Sequence, residues 1–307
     1  MSERQKLVHL HTSGTTEPSA AMLNLGEIAV QHASEESCLY IKNQDGELIK
    51  FIPSGTIQTM IDNISIDCGE YEGVKPKYLT FEAVSANSTV QLNKDGSGSG
   101  RKVNLQYSTD NGKTWKEYIF IEYSYSSTGQ TITLSNIGDT VKFKGNNNIF
   151  SDRSSVYTFK MSGKIKATGN VTSLNNEIGC DIPMSNFCYY KLFYGCTSLT
   201  TAPELPATNL AESCYSSMFN GCTSLTTAPE LPATNLAIEC YSSMFNGCKK
   251  LSYIKALFLT SPSNTYTGNW VSGVASAGTF VKNSEATWTV TGVNAVPNGW
   301  TIETASS

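Results

Sequence analysis

Residues 199–222 read LTTAPELPATNLAESCYSSMFNGC, and residues 225–248 read LTTAPELPATNLAIECYSSMFNGC. Over these 24 positions only Glu212/Ile238 and Ser213/Glu239 differ, so the chain repeats itself with a period of 26. A degenerate earlier copy ends the same way, in Cys188-Tyr-Tyr-Lys-Leu-Phe193-Tyr-Gly195-Cys196. A fixed period in the range of about 20–50 residues marks a solenoid, where each unit buries its apolar face only against its neighbours. Within one unit Asn209 is placed to cap a helix, and Leu210, Ala211, Cys214, Met218 and Phe219 recur at helical spacing. Asn220-Gly221 supplies the left-handed residue that ends it. Leu225 then begins a short extended segment, and Ala228-Pro-Glu-Leu-Pro232 stops any ladder by removing two backbone donors.

One helix and one short strand per coil, with leucines at fixed positions, predict a C-terminal α/β solenoid of leucine-rich repeats. The cysteines recur with the same period, at 188, 214, 240 and at 196, 222, 248. They read as small buried hydrophobes. Stacked helices lie about 8–10 Å apart, too far for the first ladder to form disulfides. The second ladder, nearer the strands, has a spacing at which pairing is conceivable. Cys-x7-Cys without histidine is poor zinc spacing.

The run LPAT-NLA-x-x-CYSSMF-x-GC-x-x-L resembles the BspA-like leucine-rich repeat family, found in surface proteins of gut Bacteroidetes and in their phages. The segment Gly278-Thr-Phe-Val-Lys-Asn, with Trp288 and Val296-Pro-Asn-Gly-Trp300-Thr-Ile, resembles that family's end cap. A cap is also a physical need, because a terminal coil leaves an apolar face open. The resemblance implies adhesion or protein contact and no catalysis. On that reading the repeats span residues 166–307. Tyr215, Tyr241, Thr226 and Thr227 are a candidate binding surface, since rigid aromatics beside small polar residues suit protein or glycan contact. The alternative is that both tyrosines pack between coils.

Residues 76–165 alternate apolar and polar with regular turn signals. Tyr78-Leu-Thr-Phe81, Val103-Asn-Leu-Gln-Tyr107, Thr131-Ile-Thr-Leu134 and Thr140-Val-Lys-Phe143 read as half-buried strands of a β-sandwich. Within them Ser108-Thr-Asp110-Asn-Gly112-Lys-Thr-Trp115 matches the Asp-box pattern of sialidases. A sialidase also needs several boxes, an arginine cluster and a tyrosine nucleophile on a propeller. One copy reads instead as a hairpin turn with Trp115 packed beneath it.

The first 55 residues form a small β module of three short strands. Leu25-Gly26-Glu27-Ile28-Ala-Val30, Cys38-Leu39-Tyr40-Ile41-Lys-Asn43 and Gly46-Glu-Leu-Ile-Lys50 carry them. So small a module cannot bury a core alone, which implies oligomerisation or docking. Together with Thr15-Thr-Glu-Pro18-Ser, these motifs resemble the N-terminal modules of tailed-phage fibre proteins, over about residues 7–52. In that family the segment attaches the fibre to the virion and is commonly trimeric. Residues 56–75 form a linker or stalk. There Ile57, Met60, Ile61 and Ile64 make an i, i+3, i+4, i+7 stripe, which suits a short helix or a three-stranded bundle equally. His9 and His11 share a strand face; near a three-fold axis they would offer six nitrogens to a metal, and otherwise they are exposed strand residues. His32 has no evident partner.

The charge balance, 22 Lys+Arg against 26 Asp+Glu, argues against nucleic acid as a partner, because phosphate binding needs clustered cations. Only 16% of residues are charged, and Ser, Thr, Asn and Gly take their place, a composition suited to β-rich virion or extracellular surfaces. All three histidines fall within the first 32 residues, so nothing downstream can use imidazole. No signal peptide or membrane span is read. Neither a phosphate loop, a Rossmann fingerprint nor a nucleophile triad can be assembled. Glu204 and Glu230 recur once per coil, as a solvated face does. The expectation is therefore a mainly β, multidomain structural protein of a tailed-phage particle, a head or tail fibre. It is not an enzyme and has no cofactor or metal. Its partners would be itself as a homotrimer, capsid or tail proteins through the N-terminus, and a host-surface glycan or protein, with assembly in the host cytoplasm. The rival is a bacterial surface adhesin with the same repeats, which would have to be exported.

Overall fold

The computed structural model describes residues 11–13, 28–32, 37–42, 48–51, 76–95, 102–122, 126–176 and 184–305. The chain is mainly β with very little helix, built of several sheets of which none closes. It falls into two compact units, Met1–Val74 and Lys75–Ser307.

In the first unit, β1 (His11–Ser13), β2 (Ile28–His32), β3 (Ser37–Lys42) and β4 (Leu48–Phe51) make a four-stranded sheet in chain order. Strand β1 runs parallel to β2, and the remaining pairs are antiparallel. The three segments read as strands in the sequence overlap β2, β3 and β4. His11 and His32 lie on β1 and β2. His9, Leu25, Gly26 and Glu27 and the stripe Ile57, Met60, Ile61 and Ile64 lie outside the described residues.

The second unit opens with β5 (Leu79–Ala83), β6 (Ser88–Asp95), β7 (Leu105–Ser108), β8 (Lys116–Glu117), β9 (Phe120–Glu122), β10 (Ser126–Gly129), β11 (Ile132–Leu134) and β12 (Thr140–Gly145). Then follow β13 (Val156–Ser162), β14 (Ile165–Thr168), a 3-10 turn at Val171–Leu174 and β15 (Leu199–Thr201). One sheet has the order β15-β14-β5-β12-β7-β8; in the other β6 is flanked by β13 on one side and by β10 and β11 on the other. Strands β5, β6 and β12 alternate buried and half-buried residues along their length, the period-2 pattern of a sheet with one packed face. Their inward side chains meet in an aromatic cluster. Phe81 lies 4.8 Å from Phe159 and 5.8 Å from Phe143, and Tyr118 lies 5.6 Å from Phe143, centroid to centroid.

Tyr118 is buried, and its phenol sits between two backbone groups. It accepts from the Leu92 N–H at 2.7 Å and donates to the Gln130 carbonyl at 2.8 Å. Gly129 makes this approach feasible, because a Cβ there would lie 2.4 Å from that oxygen. Tyr118→Phe leaves both backbone groups unpaired in the core. We expect it to lower stability by about 1–3 kcal/mol in a denaturant titration, the cost of stranding buried polar groups.

The helix expected over residues 210–221 is not what forms. That stretch is a series of turns with a left-handed residue every fourth position: Ser213 (φ 54°), Ser217 (φ 56°) and Gly221 (φ 76°). Residues 239, 243 and 247 repeat this, as do 187, 191 and 195. Amides alternate in their use. Cys214, Ser216, Met218 and Asn220 donate three residues back, to Ala211, Ser213, Tyr215 and Ser217. Ser213, Tyr215, Ser217, Phe219 and Gly221 donate to the next repeat, to the carbonyls of Ile238, Cys240, Ser242, Met244 and Asn246. The physical reason is the sequence period. Cys-Tyr-Ser-Ser, Met-Phe-Asn-Gly and Cys place two apolar residues in every four, and over two turns a period of 4 is indistinguishable from 3.6.

Strand β13 supplies the first layer of this stack. Phe159 of β13 donates its amide to the Leu192 carbonyl at 2.8 Å, as Phe193 does to Met218, Phe219 to Met244 and Phe245 to Trp270. Strand β14, which the position 165/166 divides, pairs antiparallel with β5 and parallel with β15 of the first repeat. One buried cluster accordingly runs from Leu79 to Trp300. At the far end β16 (Tyr253–Ala256), β17 (Thr279–Lys282) and β18 (Thr301–Thr304) form a parallel sheet, with a helical turn α1 (Asn264–Thr267) between β16 and β17. Phe280, Trp288 and Trp300 cover the last repeat, and the indole N–H groups of Trp288 and Trp300 donate to the carbonyls of Phe258 and Ala275.

Candidate functional site

Two aromatic columns form the spine of the stack. Phe159, Phe193, Phe219 and Phe245 succeed one another at 5.6, 5.3 and 5.7 Å with nearly parallel rings. Tyr189, Tyr215 and Tyr241 do the same at 5.8 and 6.1 Å and end on Trp270. Tyr215 and Tyr241 are each 1% exposed. Their place in the candidate binding surface is thus corrected: packing between repeats claims both rings, because the turn segment points Cys-Tyr and Met-Phe inward together. Thr226 and Thr227 are exposed, as expected of a surface, on the extended side of the repeat. Glu204 and Glu230 are exposed on that side too, bridged by Lys77 at 2.9 Å and Lys255 at 3.0 Å. Pairs this open to solvent contribute little.

The cysteines line the columns. All six that are described, at 188, 196, 214, 222, 240 and 248, are buried and free of disulfides. Cys196, Cys222 and Cys248 each donate the thiol to the carbonyl of the phenylalanine one layer back, Phe159, Phe193 and Phe219, at 3.0–3.2 Å. Burial pushes every one of these thiols upward, Cys196, Cys240 and Cys248 to about 12. A thiol held protonated and inaccessible is a poor nucleophile. We therefore expect these six to resist a maleimide reagent in the native protein and to react fully in denaturant, read by intact mass. Reaction of the native protein at these positions would contradict the packing.

The Asp-box residues close a hairpin. Asp110 accepts from Ser108 Oγ at 2.7 Å, from the Thr114 amide at 2.9 Å and from Thr114 Oγ1 at 2.6 Å. The Thr114 bonds, with that from Ser108, hold its carboxyl well below the usual range. Every strong partner is local, so the carboxylate locks the turn. Trp115 packs edge-on against Tyr78 at 4.8 Å, with Lys144 4.9 Å from its ring centroid.

The residues that differ between the two copies come together. Glu212, Ser213, Ile238 and Glu239 all line one groove of about 580 Å³, where the left-handed corners of successive repeats meet β13. The first, degenerate copy contributes Phe187, Tyr190 and Lys191, and the loop before β13 contributes Arg153. Arg153 lies over the Phe187 ring at 5.9 Å, and Lys191 lies 4.9 Å from Tyr190 and 5.3 Å from Tyr194. Ser213 Oγ donates to Glu239 Oε2 at 3.2 Å. Ile238 is 56% exposed, a large apolar side chain presented to solvent at the groove. The corner backbone is fixed: the amides of Phe187, Ser213 and Glu239 donate to the carbonyls of Glu212, Ile238 and Thr265 at 2.8–3.0 Å. Sequence reasoning missed this groove. Its signal was already visible, since two copies identical at every other position differ only where they face it.

Among the described residues no cluster of three or more His, Cys, Asp or Glu is placed to hold a metal. Likewise, no described helix is long and apolar enough to cross a membrane. Compared with protein-family models, with curated proteins and with solved structures, the chain gives no match.

Proposed function

We propose that this chain is a structural fibre protein of a tailed bacteriophage, on head or tail, which displays a repeat domain for adhesion to a host surface. The stack of residues 166–307 is on this reading a leucine-rich-repeat solenoid of period 26, related to the BspA-like repeats and built from turns rather than helices. The observation that carries the adhesive part is the contrast within the repeats. A scaffold copied residue for residue holds a groove at which alone the copies differ, as expected of a rigid frame presenting a variable surface. The attachment part rests on the resemblance of residues 7–52 to fibre N-termini. Its physical support is size: a module of about 50 residues has little area with which to offset about 1–2 kcal/mol of backbone entropy per residue. Burial against symmetry mates or a virion partner supplies the difference, and a homotrimer is the proposed form. The protein assembles in the host cytoplasm and ends in the virion, with no catalytic role.

The test is deletion of residues 1–52. The shortened protein is expected to fold, since Lys75–Ser307 is a compact unit, and to be missing from purified particles by mass spectrometry. Particles that carry the shortened protein at the normal level would overturn the attachment reading.

A further inference from the structure

We propose that the corner groove is a glycan-binding site that takes an uncharged chain of pyranose sugars. This rests on reading the repeats as the adhesive part of the protein. The groove's charges balance, with Arg153 and Lys191 against Glu212 and Glu239, so a polyanion would meet two carboxylates. Its walls offer what a pyranose presents: an apolar C–H face and a rim of hydroxyls. The half-buried rings of Phe187 and Tyr190, edge to face at 5.8 Å with Arg153 and Lys191 over them, supply the apolar surface, and the carboxylates of Glu212 and Glu239 accept from the rim. Lys191 lies over the Tyr190 ring at 4.9 Å, and a tyrosine loses little conformational entropy on binding.

The rungs of the groove differ in kind: Phe187, Ser213 and Glu239 follow one another at one position, and Tyr190 and Ser216 at the other, so an aromatic rung is followed by polar ones. A peptide fits less well. The corner amides of Phe187, Ser213 and Glu239 are spent on the ladder between repeats, which leaves no free edge there for an added strand.

The full chain is to be screened on an array of defined neutral oligosaccharides, with a random peptide array alongside, and the best-retained sugar titrated by calorimetry. Two variants accompany it. Tyr190→Ala removes a stacking ring. The double variant Ile238→Glu, Glu239→Ser rewrites the second copy's corner as the first copy's, residues the chain already folds with 26 positions upstream. We expect retention of neutral glycans, and affinity at least tenfold weaker in both variants at unchanged melting temperature. Retention of no glycan, retention of peptides alone, or wild-type affinity in the double variant would each overturn the assignment. None of these touches the fibre reading, which is decided by incorporation of the N-terminal deletion.

Discussion

Held in reductant and taken from pH 8 to pH 11, the protein is expected to lose stability and unfold as the pH rises above the ordinary thiol value, because of its buried thiols. In the folded state burial raises all six described thiols, three of them to about 12, from an ordinary value of 9.0. In the unfolded chain they ionise near the ordinary value. The folded state thus binds more protons above pH 9, so its stability is intact below that pH and is lost as pH rises toward the folded values. Each thiol contributes a slope of about 1.4 kcal/mol per pH unit in that window. The three held up to about 12 give about 4 kcal/mol per unit, against a total stability of about 5–15 kcal/mol for a domain, and Cys188, Cys214 and Cys222 act in the same direction. The buried phenols of Tyr189 and Tyr241, also raised by desolvation, act in the same direction from higher pH. Circular dichroism against pH measures this. A native spectrum kept to pH 11 would mean that the cysteine ladders are solvated.

Phe219→Ala is the second large effect. Phe219 is fully buried at the middle of its column, 5.3 Å from Phe193 and 5.7 Å from Phe245 with rings within 9° of parallel. Neighbours on both sides are fixed by backbone bonds between layers, so the cavity cannot collapse. We expect a loss of about 3–5 kcal/mol, the upper range for truncating a buried aromatic. That corresponds to a melting temperature lower by roughly 10 °C for a unit of this size. Thr226→Ala, on the exposed side of the same repeat, is the control and is expected to change little. A loss under about 1 kcal/mol at Phe219 would mean that the column is not packed as described.

Much of this was legible in the residues. Period 26, the inward cysteines and the strands of residues 76–165 follow from spacing and alternation, whereas the C-terminal cap was read from a resemblance and from the need to cover a terminal coil. The Asp-box stood as a turn because its partners, Ser108 and Thr114, are its own neighbours. The helix was misread because only left-handed backbone at Ser213 and Ser217 separates a four-residue period from a helical one. Serine does not announce that conformation as Gly221 does. Tyr215 and Tyr241 were offered as surface on composition, but the ring following an inward cysteine in a tight turn is itself drawn inward. The junction was hidden for another reason: the pairing of β14 with β15 and of Phe159 with Leu192 joins residues more than 30 positions apart. The groove depends on the same long-range closure, through Arg153 and Phe187.

The β-sheets of residues 76–168 and the repeats form one continuous stack, with backbone bonds from each layer to the next. Hydrogen exchange read by mass spectrometry tests it, on peptides from β6, from residues 213–221 and from β17. If one core runs through, these three segments exchange with the same free energy of opening, and the amides of Tyr215, Ser217 and Phe219 are among the slowest. Opening of residues 213–221 at a free energy about 2 kcal/mol or more below that of β6 would contradict it, with the repeats then a separate body resting on those sheets.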